Sequence, residues 1–258
     1  MMSAMADNDA LTLAGARAGR LVGARCVILP LGSVEYHGPH APLGVDTTLA
    51  VGFARALAER CDAVALPPIA YSFTSLLTSA RPGTLSVAPE PFLAYLREVL
   101  AALARQGVRR VLVLNAHSEN QHAVRLAAEA VALEHPRLSV LGVQWWRLVE
   151  PGDTPGFGDA GGHGHGGPVE VSTTAAFDPR GVREADAPDI AYEAPWWRGA
   201  AQVVGEGQAP EGFDGYHGRV SEVDASAGEA IVAAVLPRLE RLVEAWLARA
   251  DGEIAEGA

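Results

Sequence analysis

Four side chains that bind metals or carry protons lie between residues 35 and 46 of this chain. They are two carboxylates and two imidazoles, Glu35, His37, His40 and Asp46, in the segment GSVEYHGPHAPLGVD. Gathering such groups costs free energy unless a partner compensates them, and a divalent cation with oxygen and nitrogen ligands is the usual partner. The segment therefore predicts a metal site.

A second cluster, NAHSEN, spans residues 115–120 and contributes His117 and Glu119. In both clusters two candidate ligands are two residues apart, and in extended backbone this spacing directs side chains to the same face. Asp46 adds a carboxylate whose two oxygens can bridge two ions. The set of three carboxylates and two imidazoles suits two divalent ions that polarise a carbonyl and activate water for hydrolysis. Without a thiolate it favours Zn²⁺ or Mn²⁺ and does not distinguish them.

From residue 150 to residue 167 the composition shifts to Gly, Pro, Asp and His, which is too polar and too rich in glycine for a core element, so we predict a loop over the site. A third polar segment, HGHGGPVE at residues 163–170, follows the fourth predicted strand and can close over the same edge of the sheet. Two alternatives stay open in the first cluster. Asp46 is also suited to capping the helix that follows it. His40, flanked by prolines, fits either support of the ligands or a surface loop.

The elements that must position these clusters follow from hydrophobic patterning. Short apolar runs predict buried strands, and amphipathic spacing predicts helices that alternate with them. The predicted strands are at 26–31, 63–66, 111–114 and 138–143. The predicted helices are at 46–60, 92–105, 119–133 and 225–248. This alternation predicts an α/β fold with a mostly parallel central sheet covered by helices. Loops after parallel strands meet at the carboxyl edge of the sheet, where ligands bind.

Composition limits the function further. The 258 residues, 49% hydrophobic, predict a single domain with a core at about 20–248 and frayed termini. A net charge of -11 argues against nucleic acid as a partner. Neither a leader segment nor a membrane span is evident in the sequence, so we expect a cytoplasmic protein that does not bind membranes. Cys26 and Cys61 form no metal-binding pair and fit small buried residues.

Three motifs in order, LPLGSVEYHGPHAPLGVDT, NAHSEN and HGGPVEVS, resemble the creatininase family of metal-dependent amidohydrolases. The resemblance runs from about residue 27 to residue 246. It implies a three-layer α/β/α fold, a binuclear site, hydrolysis of amide C–N bonds and a homo-oligomer, commonly a hexamer.

Residue by residue, the resemblance assigns functions to ten positions. The implied metal ligands are Glu35, His37, Asp46, His117 and Glu119, with Asp46 bridging. Glu119 and His165 are the implied catalytic residues, and His165 handles protons. The positions that match substrate contacts are Ser79, Ser118 and Trp146. Glu170 is expected to support the ligands from outside. His40, which the resemblance does not assign, is expected to act with it.

The substrate is not fixed by these motifs. The tryptophan and aspartate expected before the catalytic histidine are replaced by Gly161 and Gly162, which suggests a wider pocket than creatinine needs. A larger cyclic amide is one expected substrate, and a modified precursor peptide is another. A non-catalytic metal-binding scaffold is an alternative of another class. The functions of His163 and of the Trp196-Trp197 pair, an interface or a lid, are left open.

Overall fold

The computed structural model describes residues 18–154, 156–157, 163–183, 187–190, 204–206, 208–209 and 212–255. Gly161, Gly162 and the Trp196-Trp197 pair lie outside the described residues, so the expectations attached to them stay predictions.

A sheet of four parallel strands forms the centre of the fold. The strands are β1 (Val27–Leu31), β2 (Val64–Ala65), β3 (Arg110–Asn115) and β4 (Ser139–Gln144), in the order β2-β1-β3-β4. All pairings are parallel, and β1 runs alongside β3 from the Val27–Val111 pair to the Leu31–Asn115 pair. Every residue of β1 is buried, as expected for a strand covered on both faces.

Six α-helices are described in this structure. They are α1 (Ala18–Gly23), α2 (Val45–Cys61), α3 (Pro89–Arg105), α4 (Asn120–Glu134), α5 (Pro168–Phe177) and α6 (Ala225–Ala255). α6 is one continuous helix with Pro237 inside it.

The helices cover the sheet in two layers, because side chains alternate across each strand. Ile28 and Leu112 point to one face, into a core cluster that includes residues of α2, α5 and α6. Val27 and Val111 point to the other face, into a cluster with residues of α3 and α4. The predicted α/β fold with three layers is confirmed.

Helix α5 has no counterpart among the elements predicted from patterning. Its sequence PVEVSTTAAF is rich in β-branched residues and buried over most of its length, so it shows no amphipathic stripe. The usable signal was Pro168 at the first helical position after Gly167. This helix matters for the site because it carries Glu170.

Within the described part of the chain, no helix combines the length and the apolar character that crossing a membrane requires.

Candidate metal centre

The polar clusters meet at the carboxyl edge of the sheet. Glu35 and His37 lie in the irregular segment after β1, His117 follows β3, and Asp46 is in the first turn of α2. All four side chains are at most 4% exposed. Loops separated by about eighty residues in sequence thus form one buried site, as the parallel topology predicts.

Two triads of ligand atoms share Asp46. In the first, His117 Nδ1 lies 3.1 Å from Glu35 Oε2 and 3.1 Å from Asp46 Oδ2. In the second, His37 Nε2 lies 3.5 Å from Asp46 Oδ1 and 3.9 Å from Glu170 Oε2. Each carboxylate oxygen of Asp46 therefore faces a different triad, which is the geometry of a bridging ligand.

The capping alternative for Asp46 is excluded by this geometry. α2 begins after Gly44 without a capping side chain, and the Asp46 carboxylate instead turns into the cluster. Ser33 Oγ donates a hydrogen bond to Asp46 Oδ2 at 2.5 Å and holds it there.

Each imidazole of the cluster is oriented by a backbone carbonyl behind it. His37 Nδ1 lies 3.0 Å from Glu35 O, His117 Nε2 lies 3.1 Å from Phe73 O, and His165 Nε2 lies 2.8 Å from Tyr36 O. A carbonyl only accepts, so these nitrogens carry the hydrogens and donate. The other nitrogen of each ring faces the cluster, which is how metal-binding histidines are commonly held.

The residues present fit a pair of divalent ions. Glu35 Oε2 and His37 Nε2 are buried and have no hydrogen-bond partner among the described residues. Buried polar atoms are normally satisfied, so two such atoms that face the same cluster indicate a missing positive partner. Oxygen and imidazole ligands without sulfur suit Zn²⁺ or Mn²⁺.

In the metal-free cluster, protonated imidazoles balance the carboxylates. Burial lowers the pKa of His37, but the charges of Asp46, Glu170 and Glu35, together with a hydrogen bond to Asp46, outweigh it and raise that pKa to about 9. The pKa of His117 is likewise raised, because Glu35 and Asp46 outweigh burial. Burial raises the pKa of Glu35 while the charges of His117 and His165 lower it, to about 2. The site thus favours positive charge strongly.

His165 differs from the other two imidazoles. Burial and the neighbouring charge of His37 lower its pKa to about 4, so the ring is neutral at pH 7. Its ring lies 4.1 Å from that of His37, and its Nδ1 lies 4.0 Å from Glu35 Oε2. A neutral imidazole with a free nitrogen beside the ligands can accept or deliver a proton there.

Glu170 supplies the third ligand atom of the second triad in this structure, and the assignment of Glu119 as a ligand stays a prediction. Glu119 belongs to none of the ligand groups among the described residues. Ser118 and Glu119 form a turn before α4, so the backbone from His117 to Glu119 is not extended, yet both residues line the cleft in front of the ligands. Glu170 reaches the site from the first turn of α5, and burial raises its pKa to about 7.

His40 is buried, which excludes the surface-loop alternative. Its Nε2 donates to Gly166 O at 2.8 Å, and the Gly166 N–H donates to Glu170 Oε2 at 2.8 Å. Gly166 has a φ of +67°, and a Cβ there would lie 2.5 Å from His37 O. Only glycine fits this turn, which fixes Glu170 beside His37.

A cleft with two lobes lies in front of the ligands. We call them the Trp146 lobe, about 300 Å³ and lined also by His163 and Glu170, and the Phe213 lobe, about 190 Å³ and lined also by Glu119. Their shared lining residues are Leu77, His117, Ser118, His165 and His217.

Two of the three predicted substrate-contacting residues line this cleft. Ser118 and Trp146 line it, whereas Ser79 is not among its lining residues. Thr78, one position earlier, lines the Phe213 lobe and donates a hydrogen bond to Glu35 Oε1. His217, which none of the three motifs contains, lines both lobes.

A larger cavity of about 400 Å³ lies at the opposite edge of the sheet, between the segments that precede β3 and β4. It is lined by residues such as Arg109 and Arg137 and contains none of the candidate ligands. The candidate ligand groups among the described residues therefore lie at the carboxyl edge.

Comparison with known proteins gives matches to one family over most of the chain. A profile of the creatininase family, described as creatinine amidohydrolase, matches residues 10–243. Creatinine amidohydrolase of Pseudomonas putida is 30% identical over 50% of this chain and 51% of its own length. The chain thus spans about half the length of that curated relative. A mycofactocin precursor peptide peptidase of Mycobacterium tuberculosis (strain CDC 1551 / Oshkosh) is 28% identical over 88% of this chain and 87% of its own.

Solved structures share the fold. Two of them, a manganese form of creatininase and a mutant creatininase of the "Zn-Zn type", each superpose with a TM-score of 0.78 at 22% identity, covering 92% of this chain and 98% of theirs. Since the profile match covers most of the chain and the three motifs meet at one site, this protein belongs to the creatininase family.

Proposed function

We propose that this protein is a metal-dependent hydrolase that cleaves the C–N bond of an amide in a cyclic or peptide-like substrate. The observation that carries the proposal is the pair of buried triads that share Asp46. Glu35, Asp46 and His117 would hold one divalent ion, and His37, Asp46 and Glu170 the other, Zn²⁺ or Mn²⁺. The solved creatininase structures include forms named for each of these metals.

When bound, such ions polarise a carbonyl and lower the pKa of water to near neutrality. Side chains of this protein supply proton transfer and the walls of the substrate cleft. His165, neutral at pH 7, takes a proton at Nδ1 and delivers it to the leaving nitrogen. The Tyr36 carbonyl holds the ring at Nε2 in both states, so the ring keeps its orientation during proton transfer. Trp146 forms an apolar wall that displaces water.

A peptide-like substrate is favoured over creatinine by two observations. A relative that matches over most of both chains is named a mycofactocin precursor peptide peptidase, whereas the match to the creatinine amidohydrolase of Pseudomonas putida covers half of each chain. The cleft also continues from the Trp146 lobe into the Phe213 lobe, which gives room for groups on both sides of a scissile amide.

The test is a hydrolysis screen with zinc- or manganese-loaded protein over creatinine, cyclic ureides, formamides and short peptides. We expect amine release from at least one class, and loss of both bound metal and activity in His117→Ala. The matched control is His122→Ala, which changes an exposed histidine of α4 that belongs to neither triad.

Two results would contradict the proposal. Retention of metal and activity by His117→Ala would remove the site assignment. Metal binding without hydrolysis in any class would leave the non-catalytic scaffold as the better account. We further propose a homo-oligomer, up to a hexamer, which light scattering measures directly.

A further inference from the structure

Residues 213–217 form one wall of the cleft and lie directly behind His165. We call them the wall segment, and they contribute Phe213 and His217 to the lining of the cleft. The His217 N–H donates a hydrogen bond to the His165 carbonyl at 2.9 Å. A Cβ at Gly164 would lie 2.5 Å from the His217 ring. The turn that carries His165 therefore rests on the wall segment.

Arg81 holds the wall segment from its other side. Its Nη1 donates to Asp214 Oδ1 at 2.6 Å, and its Nη2 donates to the Phe213 carbonyl at 3.4 Å. A Cβ at Gly215, which has a φ of +78°, would lie 2.7 Å from the Tyr36 ring, so the segment lies flat on that ring. Arg81 and Tyr36 together fix the backbone that supports His165.

Arg81 is in turn attached to the loop after β1 that carries Glu35 and His37, which we call the ligand loop. The Arg81 N–H donates to the Thr78 carbonyl at 2.8 Å, and the Thr84 N–H donates to the Arg81 carbonyl at 3.2 Å. Both threonines bond the ligand loop. Thr78 Oγ1 donates to Glu35 Oε1, and Thr84 Oγ1 accepts the N–H of the next residue at 3.0 Å. The position of Arg81 therefore follows that of the ligand loop.

From these contacts we infer that Arg81 is a positioning residue that clamps the wall segment to the ligand loop and so fixes the place of His165 beside the ligands. Arginine suits this task because its planar fork bonds a carboxylate and a carbonyl at once, whereas lysine is a single point charge. As a statement about catalysis the inference rests on the proposed function, but the clamp can be measured without turnover.

The experiment is hydrogen exchange on zinc-loaded full-length protein, read by mass spectrometry on a peptide that covers residues 213–217. We expect Arg81→Met to speed exchange there by about three- to tenfold, because partly exposed ion pairs contribute modestly to stability. Zinc content should stay that of wild type. Arg81→Lys should lie between the two.

Charge reversal separates the clamp from a general loss of structure. Arg81→Glu should speed exchange as Arg81→Met does, and adding Asp214→Arg should return it to within about threefold of wild type. On a substrate from the hydrolysis screen, Arg81→Met should lower kcat about tenfold, more than it changes KM, because His165 is displaced. The reversed pair should recover most of that loss.

Arg20→Met is the matched control. Arg20 pairs with Asp62 at 2.5 Å, and their side chains are 27% and 68% exposed, against 32% and 67% for Arg81 and Asp214. It lines neither lobe, so exchange of the wall segment and kcat should not change. An equal effect there would overturn the inference, because any exposed arginine would then suffice.

Two other results would overturn the inference. One is exchange of the wall segment in Arg81→Met at the rate of wild type. The other is loss of zinc from Arg81→Met, because the substitution would then disturb the ligands themselves. Failure of the two proposals can be told apart: faster exchange in protein that hydrolyses no amide keeps the clamp and refutes the hydrolase. Amide hydrolysis with unchanged exchange and kcat in Arg81→Met does the reverse.

Discussion

Substitution of Gly228 by alanine should have two opposite effects on the free energy of unfolding. Gly228 lies in α6 where this helix crosses α5, and a Cβ there would lie 1.9 Å from the carbonyl oxygen of Ser172 and 2.4 Å from its carbonyl carbon. Helix propensity alone predicts that alanine stabilises an interior helical glycine by about 1 kcal/mol. Packing predicts the reverse, because real Cβ contacts essentially never fall below 3.0 Å.

The packing effect should prevail. The helices would have to separate by more than 1 Å, the difference between 1.9 and 3.0 Å, and the obstacle is backbone with no rotamer to change. Overpacking of this kind costs up to about 3 kcal/mol, so we expect a net loss of about 2 kcal/mol after the gain in propensity.

Separation of α5 from α6 should also affect the metal site. Ser172 is two residues from Glu170 on α5, and its Oγ accepts the Asp224 N–H at 2.9 Å, which ties α5 to the start of α6. Moving α5 should draw Glu170 away from His37 and weaken zinc binding at the second triad by about 10- to 100-fold, as displaced support of ligands does elsewhere.

Urea denaturation of the metal-free variant and zinc titration with a competing chelator measure the two effects. The matched control is Gly19→Ala, because a Cβ at Gly19 on α1 meets nothing within 4 Å. It should be neutral or slightly stabilising. If Gly228→Ala is as stable as wild type, the close approach of α5 and α6 is wrong.

Three further predictions concern the ligands. Glu170→Gln should lower the zinc content by about one ion per chain in metal analysis, and full retention would contradict its place in the second triad. His165→Gln should keep its zinc and lower kcat by about 10²- to 10⁴-fold; full activity would remove its proton-transfer function. Chelator-treated protein should lose stability as pH rises from 6.5 to 9. The folded-state pKa of His37, about 9, lies above its ordinary value, so its contribution is complete below about pH 6.5 and is lost as pH rises through 9. The shift corresponds to about 3 kcal/mol. Zinc, which needs the neutral ring, should bind more tightly over the same range, and His37→Gln should flatten the stability profile in urea denaturation.

Hydrophobic patterning along the sequence was sufficient to predict the strands and helices that show a regular apolar period. Apolar runs predicted the four strands and amphipathic spacing predicted α2, α3, α4 and α6, within a few residues of most of their bounds. The same reading missed α5, since a short helix buried over most of its surface has no polar face to reveal its period.

The sequence by itself determined that Glu35, His37, Asp46 and His117 are candidate ligands, because metal-binding side chains stand in loops that directly follow buried strands. Only the tertiary structure showed that Glu170 also reaches this cluster. Glu119 is two residues from His117, but a turn intervenes, while Glu170 comes from a helix more than 120 residues beyond Asp46. Spacing along the chain predicts direction only where the backbone conformation is known, and contacts between distant segments depend on how the helices pack on the sheet.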